Sequence, residues 1–268
     1  MLQNKNRMKQ LVLGLIIVLG LNSYSQETKL FSTIDINYFS GNIALHNDDI
    51  LHLISGHPEG FILSWNKKTV GENVWEQRFN YPDYGVSFSY QDLKHPALGD
   101  NYALYAHYSF YFLNRHLMFR IGQGLGFTSN PYDKVDNHKN IAFGSRFMSS
   151  TYAMINYKHE RLIDRFGLQA GLSLIHYSNA NVKAPNTSVN SITFNLGVNY
   201  DINEEEVNYK YDLSDGKYTE PIKYNVVLIS GVNESDVVGS GQFPFYILSG
   251  YADKRLSHKS AIQLGTDV

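Results

Sequence analysis

Four stretches of this chain alternate between two kinds of side chain with a period of two over eleven or more residues, and no other feature limits the fold as tightly. From Tyr102 to Phe112 one face reads Tyr102, Leu104, Ala106, Tyr108, Phe110, Phe112, and the other Ala103, Tyr105, His107, Ser109, Tyr111. From Leu117 to Phe127 an apolar row with Gln123 in it opposes Met118, Arg120, Gly122, Gly124, Gly126. Gly167 to Ser178 sets Leu168, Ala170, Leu172, Leu174 against Gln169, Gly171, Ser173, and Asn190 to Tyr200 sets Ile192, Phe194, Leu196, Val198, Tyr200 against Ser191, Thr193, Asn195, Gly197, Asn199. Successive side chains of a strand point to opposite faces, so each stretch has one apolar face and one face of small or polar residues. Strands of about 9–11 residues with apolar-out, polar-in alternation are what a transmembrane barrel requires. Weaker segments of the same kind lie near 30–39, 60–66, 83–91, 143–158, 222–231, 244–256 and 259–268. The expected fold is an all-β antiparallel transmembrane barrel of the outer membrane, with roughly 8–12 strands.

The N-terminus fits export. Lys5, Arg7 and Lys9 precede an apolar run from Leu11 to Leu21, and Ser23 and Ser25 flank Tyr24, which together read as a signal peptide over 1–25 with Gln26 as the mature N-terminus. The alternative is an N-terminal anchor, although the run is short for a membrane-spanning helix. The barrel is then expected over 26–268, in a Gram-negative outer membrane. With no cysteine, neither a lipid-modified cysteine nor a disulfide framework is available. A net charge of −2 argues against a nucleic-acid partner. The 20 Tyr, 15 Phe and 21 Gly against 7 Pro suit aromatic girdles and a tightly built lumen, and no second long apolar run offers a membrane helix. A soluble β-sandwich shares that composition, so the strand lengths carry the distinction.

Connection lengths orient the barrel. The turns near 113–116, 159–166 and 256–258 are short, whereas 92–101, 128–142, 178–190 and 232–243 are longer and rich in Asn, Asp, Gly and Pro. Short turns belong on the periplasmic side and long loops outside. The segments 67–82 and 202–221 are long yet fall on the periplasmic side, and Glu204, Glu205 and Glu206 in the second read as a solvated, partly disordered turn. Eleven strands make an odd number, and an open barrel edge in lipid leaves backbone groups unpaired. The sequence also stops at Val268 in what reads as mid-strand. Both points lead to the expectation of a C-terminal truncation, with a miscounted first strand as the alternative.

One segment departs from a plain wall. In His176-Tyr177-Ser178-Asn179-Ala180, His176 and Ser178 continue the outward row of Leu168 to Leu174. Polar side chains on a lipid face cost free energy, and they make sense if the substrate is itself a lipid. A His and a Ser can serve as base and nucleophile on an acyl ester. Asn190 opens the following strand with the same outward parity. The run, with Pro185-Asn186 seven residues after Ser178 and a polar residue opening the next strand, resembles the lipid A 3-O-deacylase family, the PagL-like outer-membrane enzymes that include acyloxyacyl hydrolases. Tyr81–Tyr90, Asn101–Tyr108 and Pro131–Gly144 resemble its Bacteroidetes-type versions, and the likeness extends over roughly 80–200.

The resemblance implies a carboxylic-ester hydrolase that removes an acyl chain from lipid A in the lipopolysaccharide of the outer leaflet. His176 would be the base, Ser178 the nucleophile, and Asn179 and Ala180 the oxyanion donors. The family's acidic triad member falls at Asn190, where a carboxamide can fix the imidazole tautomer but cannot supply a full charge. Asp201 has lumen parity at the far end of its strand and is ruled out; Asp133 and Asp136 remain candidates to supply the missing charge. No cofactor is implied, the remaining histidines show no ligand spacing for a metal, and Gly122, Gly124 and Gly126 read as lumen-facing residues, not as a phosphate loop. A homodimer is left open. The alternative function is a non-catalytic barrel, porin-like or structural, that keeps the motif as scaffold.

Overall fold

The structure, a computed structural model, describes residues 30–212 and 220–268. The expected signal peptide, with its cleavage point at Gln26, lies outside the described residues. All eleven expected segments are strands: β1 (Ser32–Ile43), β2 (Glu59–Lys67), β3 (Asp83–Asp92), β4 (Asp100–Phe112), β5 (Leu117–Thr128), β6 (Phe147–Ile163), β7 (Phe166–Ser178), β8 (Val189–Asp201), β9 (Lys223–Glu234), β10 (Gln242–Arg255) and β11 (Ala261–Asp267). A 3-10 turn at Asp48–Leu53 and one helical turn, α1 (Val74–Arg78), are the helical elements among the described residues.

Only β1 to β8 close on one another, each antiparallel to its neighbours, and β9 to β11 form a separate three-stranded sheet. Closure is made by β1, which pairs on one side with β2 and on the other with β8, from Thr33 opposite Asp201 to Ile43 opposite Ser191. With both sides of β1 taken, no edge is left to lipid, so eight strands satisfy the backbone and the odd count of eleven poses no difficulty. β6 runs further than expected, to Ile163, past an irregularity in its pairing between His159 and Ile163. The segment after β8 departs from expectation in one respect. The side chains of Glu204, Glu205 and Glu206 are exposed, but Arg161 holds the carbonyls of residues 203, 204 and 205, Lys210 N donates to Val70 O, and Tyr209 packs on Tyr81.

Alternation sorts the barrel's side chains as the pattern requires. Ile36, Leu104, Leu125, Leu172, Phe194 and Leu196 lie on an exposed outer face. Eight strands leave an interior that side chains just fill, and here Tyr105, Tyr111, Tyr152 and Tyr177 occupy it. The glycines of β5 make that possible: a Cβ at Gly122 would run into the Tyr152 ring, and one at Gly126 would press on Tyr177 at 3.1 Å.

At the centre Arg120, fully buried, donates from Nη1 and Nη2 to the two oxygens of Asp35 at 3.0 and 2.8 Å, and also to Ser109, Ser64 and Asn66. Removing one partner of a buried ion pair strands the other charge, at a cost of roughly 3–5 kcal/mol. Arg120→Met is therefore expected to lower barrel stability by about that amount, read as the guanidinium unfolding midpoint in detergent micelles, and Arg120→Met with Asp35→Leu to regain most of it. An unchanged midpoint for the single variant would mean that this pair does not hold the lumen together.

Candidate active site

β7 and β8 bring the three outward polar residues to the long-loop end of the barrel. The ladder sets His176 directly opposite Asn190. The His176 ring Nδ1 lies 2.7 Å from Asn190 Oδ1. A carboxamide oxygen only accepts, so that contact puts the proton on Nδ1 and leaves the lone pair at Nε2. Ser178 follows two residues on, about 6.6 Å along the strand, with its side chain on the same face.

A loop holds the serine. After Ser178 the chain turns through Ala180 and Asn181 in left-handed conformation, at φ 54° and 58°, which costs each about 1–2 kcal/mol and is typical of functional turns. The turn aims Ala180 N–H at Ser178 Oγ, 3.0 Å away. Asn186 Nδ2 donates to the same oxygen at 3.0 Å and to Asn181 Oδ1 at 2.8 Å, while Asn186 Oδ1 accepts from Asn179 N at 2.9 Å. The serine hydroxyl in turn donates to Asn186 Oδ1 at 3.3 Å. Of the two expected oxyanion donors, Ala180 N–H reaches the serine. Asn179 is turned away and buried, with its backbone N–H on Asn186 and its Nδ2 on Lys183 O at 2.6 Å. Among the described residues no hydrogen bond joins His176 to Ser178.

Two partners of this site carry no signal in the local sequence. His46, on the loop after β1, arrives by barrel closure: Ala44 N donates to Asn190 O at 2.7 Å, and Asn190 Nδ2 lies 3.4 Å from His46 Nδ1. The His46 ring is fixed by Thr187 O at 2.8 Å from Nε2, Ser188 Oγ at 3.3 Å from Nε2, and Ala44 O at 3.2 Å from Nδ1. The second is the tip of β9, where Glu234 accepts from Ala184 N at 2.7 Å and donates its own N–H to Asn181 O at 2.8 Å. Gln242 adds a bond from Nε2 to Val182 O at 2.7 Å. The second sheet thus grips the loop that carries Asn181 and Asn186. Asn186 itself was visible in the sequence only as part of the Pro185-Asn186 motif.

The carboxylates of Asp133 and Asp201 are engaged elsewhere. Asp133 Oδ1 accepts from the Val135 and Asp136 amides at 2.8 and 2.9 Å, and these hold its carboxyl below the usual carboxylate value. Asp136 has no contact with His176 among the described residues. Asp201, at the short-turn end, bonds Lys68 and Arg161 at 3.3 and 2.9 Å.

Over residues 59–199 the chain matches the family model described as Lipid A 3-O-deacylase (PagL). Among solved structures it is similar to the outer membrane enzyme PagL, at 18% identity over 61% of this chain and 97% of that one, with a TM-score of 0.43. It is also similar to Ail, the attachment invasion locus protein of Yersinia pestis, at 17% identity over 65% of this chain and 100% of that one, with a TM-score of 0.38. Neisserial surface protein A is similar at 12% identity over 65% of this chain and 97% of that one, with a TM-score of 0.33. None of the curated proteins matches the chain significantly.

Proposed function

The chain belongs to the lipid A 3-O-deacylase (PagL) family, whose model spans more than half of its length, and from that premise we propose that it is an outer-membrane serine esterase acting on an ester-linked acyl chain of lipid A. The observation that carries the reading is the outward trio: His176 bonded to Asn190 at 2.7 Å, with Ser178 on the same lipid-facing row. A water-soluble substrate would not need its catalytic groups on the outer wall. A lipid in the outer leaflet meets them there without leaving the membrane.

In this mechanism Ser178 Oγ attacks the acyl carbonyl carbon while His176 Nε2 takes the hydroxyl proton. Asn190 Oδ1 accepts a hydrogen bond from Nδ1–H throughout, which holds the ring with Nε2 free. Negative charge gathers on the carbonyl oxygen, and preorganised N–H donors are what stabilise such an oxygen. Ala180 N–H and Asn186 Nδ2, both beside Ser178 Oγ, suit that role better than Asn179. The tetrahedral adduct collapses by breaking the ester C–O bond, and His176 returns its proton to the leaving sugar oxygen. Water then attacks the acyl-serine, passing a proton through His176 to Ser178 Oγ, and the free fatty acid leaves. Catalytic hydrogen bonds are often loose before substrate binds, so the open His176–Ser178 gap is compatible with these roles.

Asn190 in place of an acid supports a second reading, a non-catalytic barrel that keeps the motif as scaffold. Mass spectrometry of lipid A separates the two. Cells expressing the chain are expected to lose one ester-linked acyl mass relative to cells carrying the empty vector. Identical spectra, with the barrel shown to be folded in the outer membrane, would leave only the scaffold.

A further inference from the structure

The two oxygens of a carboxylate are equivalent, and either could accept from His176 Nδ1. The carboxamide of Asn190 has one end that accepts and one that donates, of nearly the same size. Turned over about its Cβ–Cγ bond, Asn190 would present its NH2 group to His176. The imidazole would then accept at Nδ1 and carry its proton on Nε2, where a general base needs a lone pair. His176 cannot prevent this by itself, because a neutral imidazole matches either end by changing tautomer. Something at the other end of the carboxamide has to hold it.

Among the described residues two groups bond to the Asn190 side chain: His176 Nδ1, 2.7 Å from Oδ1, and His46 Nδ1, 3.4 Å from Nδ2. His46 Nε2 lies 2.8 Å from Thr187 O and 3.3 Å from Ser188 Oγ. A carbonyl only accepts, so the ring proton sits on Nε2 and Nδ1 keeps a lone pair. Ala44 O, 3.2 Å from Nδ1, competes for that proton, and the closer Thr187 O has the stronger claim. A lone pair beside Asn190 accepts from Nδ2–H and repels Oδ1. Only with its oxygen on His176 does Asn190 meet a complementary group at both ends.

Barrel closure sets this arrangement. The β1–β8 ladder ends at Ile43 opposite Ser191, and Ala44 N extends it by donating to Asn190 O at 2.7 Å. His46, two residues on, is thereby carried beside the Asn190 side chain. It lies ahead of residues 59–199, the span of the family model, so the family match says nothing about it.

We propose that His46 is a positioning residue, which fixes the Asn190 carboxamide with its oxygen on His176 and so selects the His176 tautomer that leaves Nε2 free to act as base. The inference rests on the esterase reading above for its effect on rate. The tautomer itself is a property of the resting protein.

The first readout is the His176 tautomer, from nitrogen NMR of the full chain with isotope-labelled histidine, in detergent micelles at about pH 8, where an ordinary histidine is neutral. The Nδ1–H form is expected to dominate by about tenfold, the factor that a single net hydrogen bond supplies. His46→Phe is expected to remove that preference and bring the Nε2–H form to a comparable population. The second readout is single-turnover acyl release in a double-mutant cycle. His46→Phe is expected to slow release severalfold when Asn190 is present. In the Asn190→Asp background, where either oxygen accepts, it is expected to change the rate by less than about twofold. An unchanged His176 tautomer in folded His46→Phe, or an equal loss of rate in both backgrounds, overturns the proposal, and His46 would then only support its loop. No release from the unaltered chain overturns the esterase reading, and the tautomer ratio still decides whether His46 orients Asn190.

Discussion

Ser178→Ala is expected to reduce acyl release from lipid A by on the order of 10⁴ or more while the barrel folds as before. Loss of the proposed nucleophile would remove the covalent route altogether and leave only what binding and the oxyanion donors contribute. The fold should tolerate the change, because Ser178 lies at the outer end of β7 and takes no part in the lumen network. The alanine loses the bonds from Ala180 N and Asn186 Nδ2, worth about 1 kcal/mol each to stability. Acyl release from purified protein, measured beside its thermal unfolding, gives both numbers. A folded variant that retains a tenth of the activity would show that the hydroxyl is not the nucleophile.

The second large effect has the opposite sign. Asn190→Asp is expected to raise the rate, on the order of 10²-fold. The carboxamide already meets one requirement of a triad, since its oxygen accepts from His176 Nδ1 at 2.7 Å and its nitrogen is turned toward His46. What it lacks is charge to offset the imidazolium that the proposed mechanism forms as Ser178 loses its proton. In serine proteases the reverse change, Asp to Asn, costs about 10⁴, mostly through the wrong tautomer. Here the tautomer is already held, so the gain should fall well below that figure. Aspartate matches asparagine in size, and the hydrogen bond survives the substitution. Single-turnover acyl release from the two forms decides the matter. An unchanged or lower rate for a folded Asn190→Asp would mean that no charge builds up on His176, and the base would have to be sought elsewhere.

The period-two alternation along Tyr102–Phe112, Leu117–Phe127, Gly167–Ser178 and Asn190–Tyr200 determined the strands, their lengths and which face each side chain takes, because a strand's geometry is local and offers only two sides. The same parity by itself places His176, Ser178 and Asn190 on the outer wall. It could not say what stands next to Asn190. Neighbours across a ladder belong to tertiary structure. Nothing near residue 46 or 190 in the sequence announces that β8 closes onto β1 and carries His46 to Asn190. The division of eleven strands into eight and three was equally out of reach, since β9 to β11 alternate much as the barrel strands do. Which edges pair is decided by satisfying every backbone N–H and C=O around a closed ring, a condition on the whole chain that no local window contains.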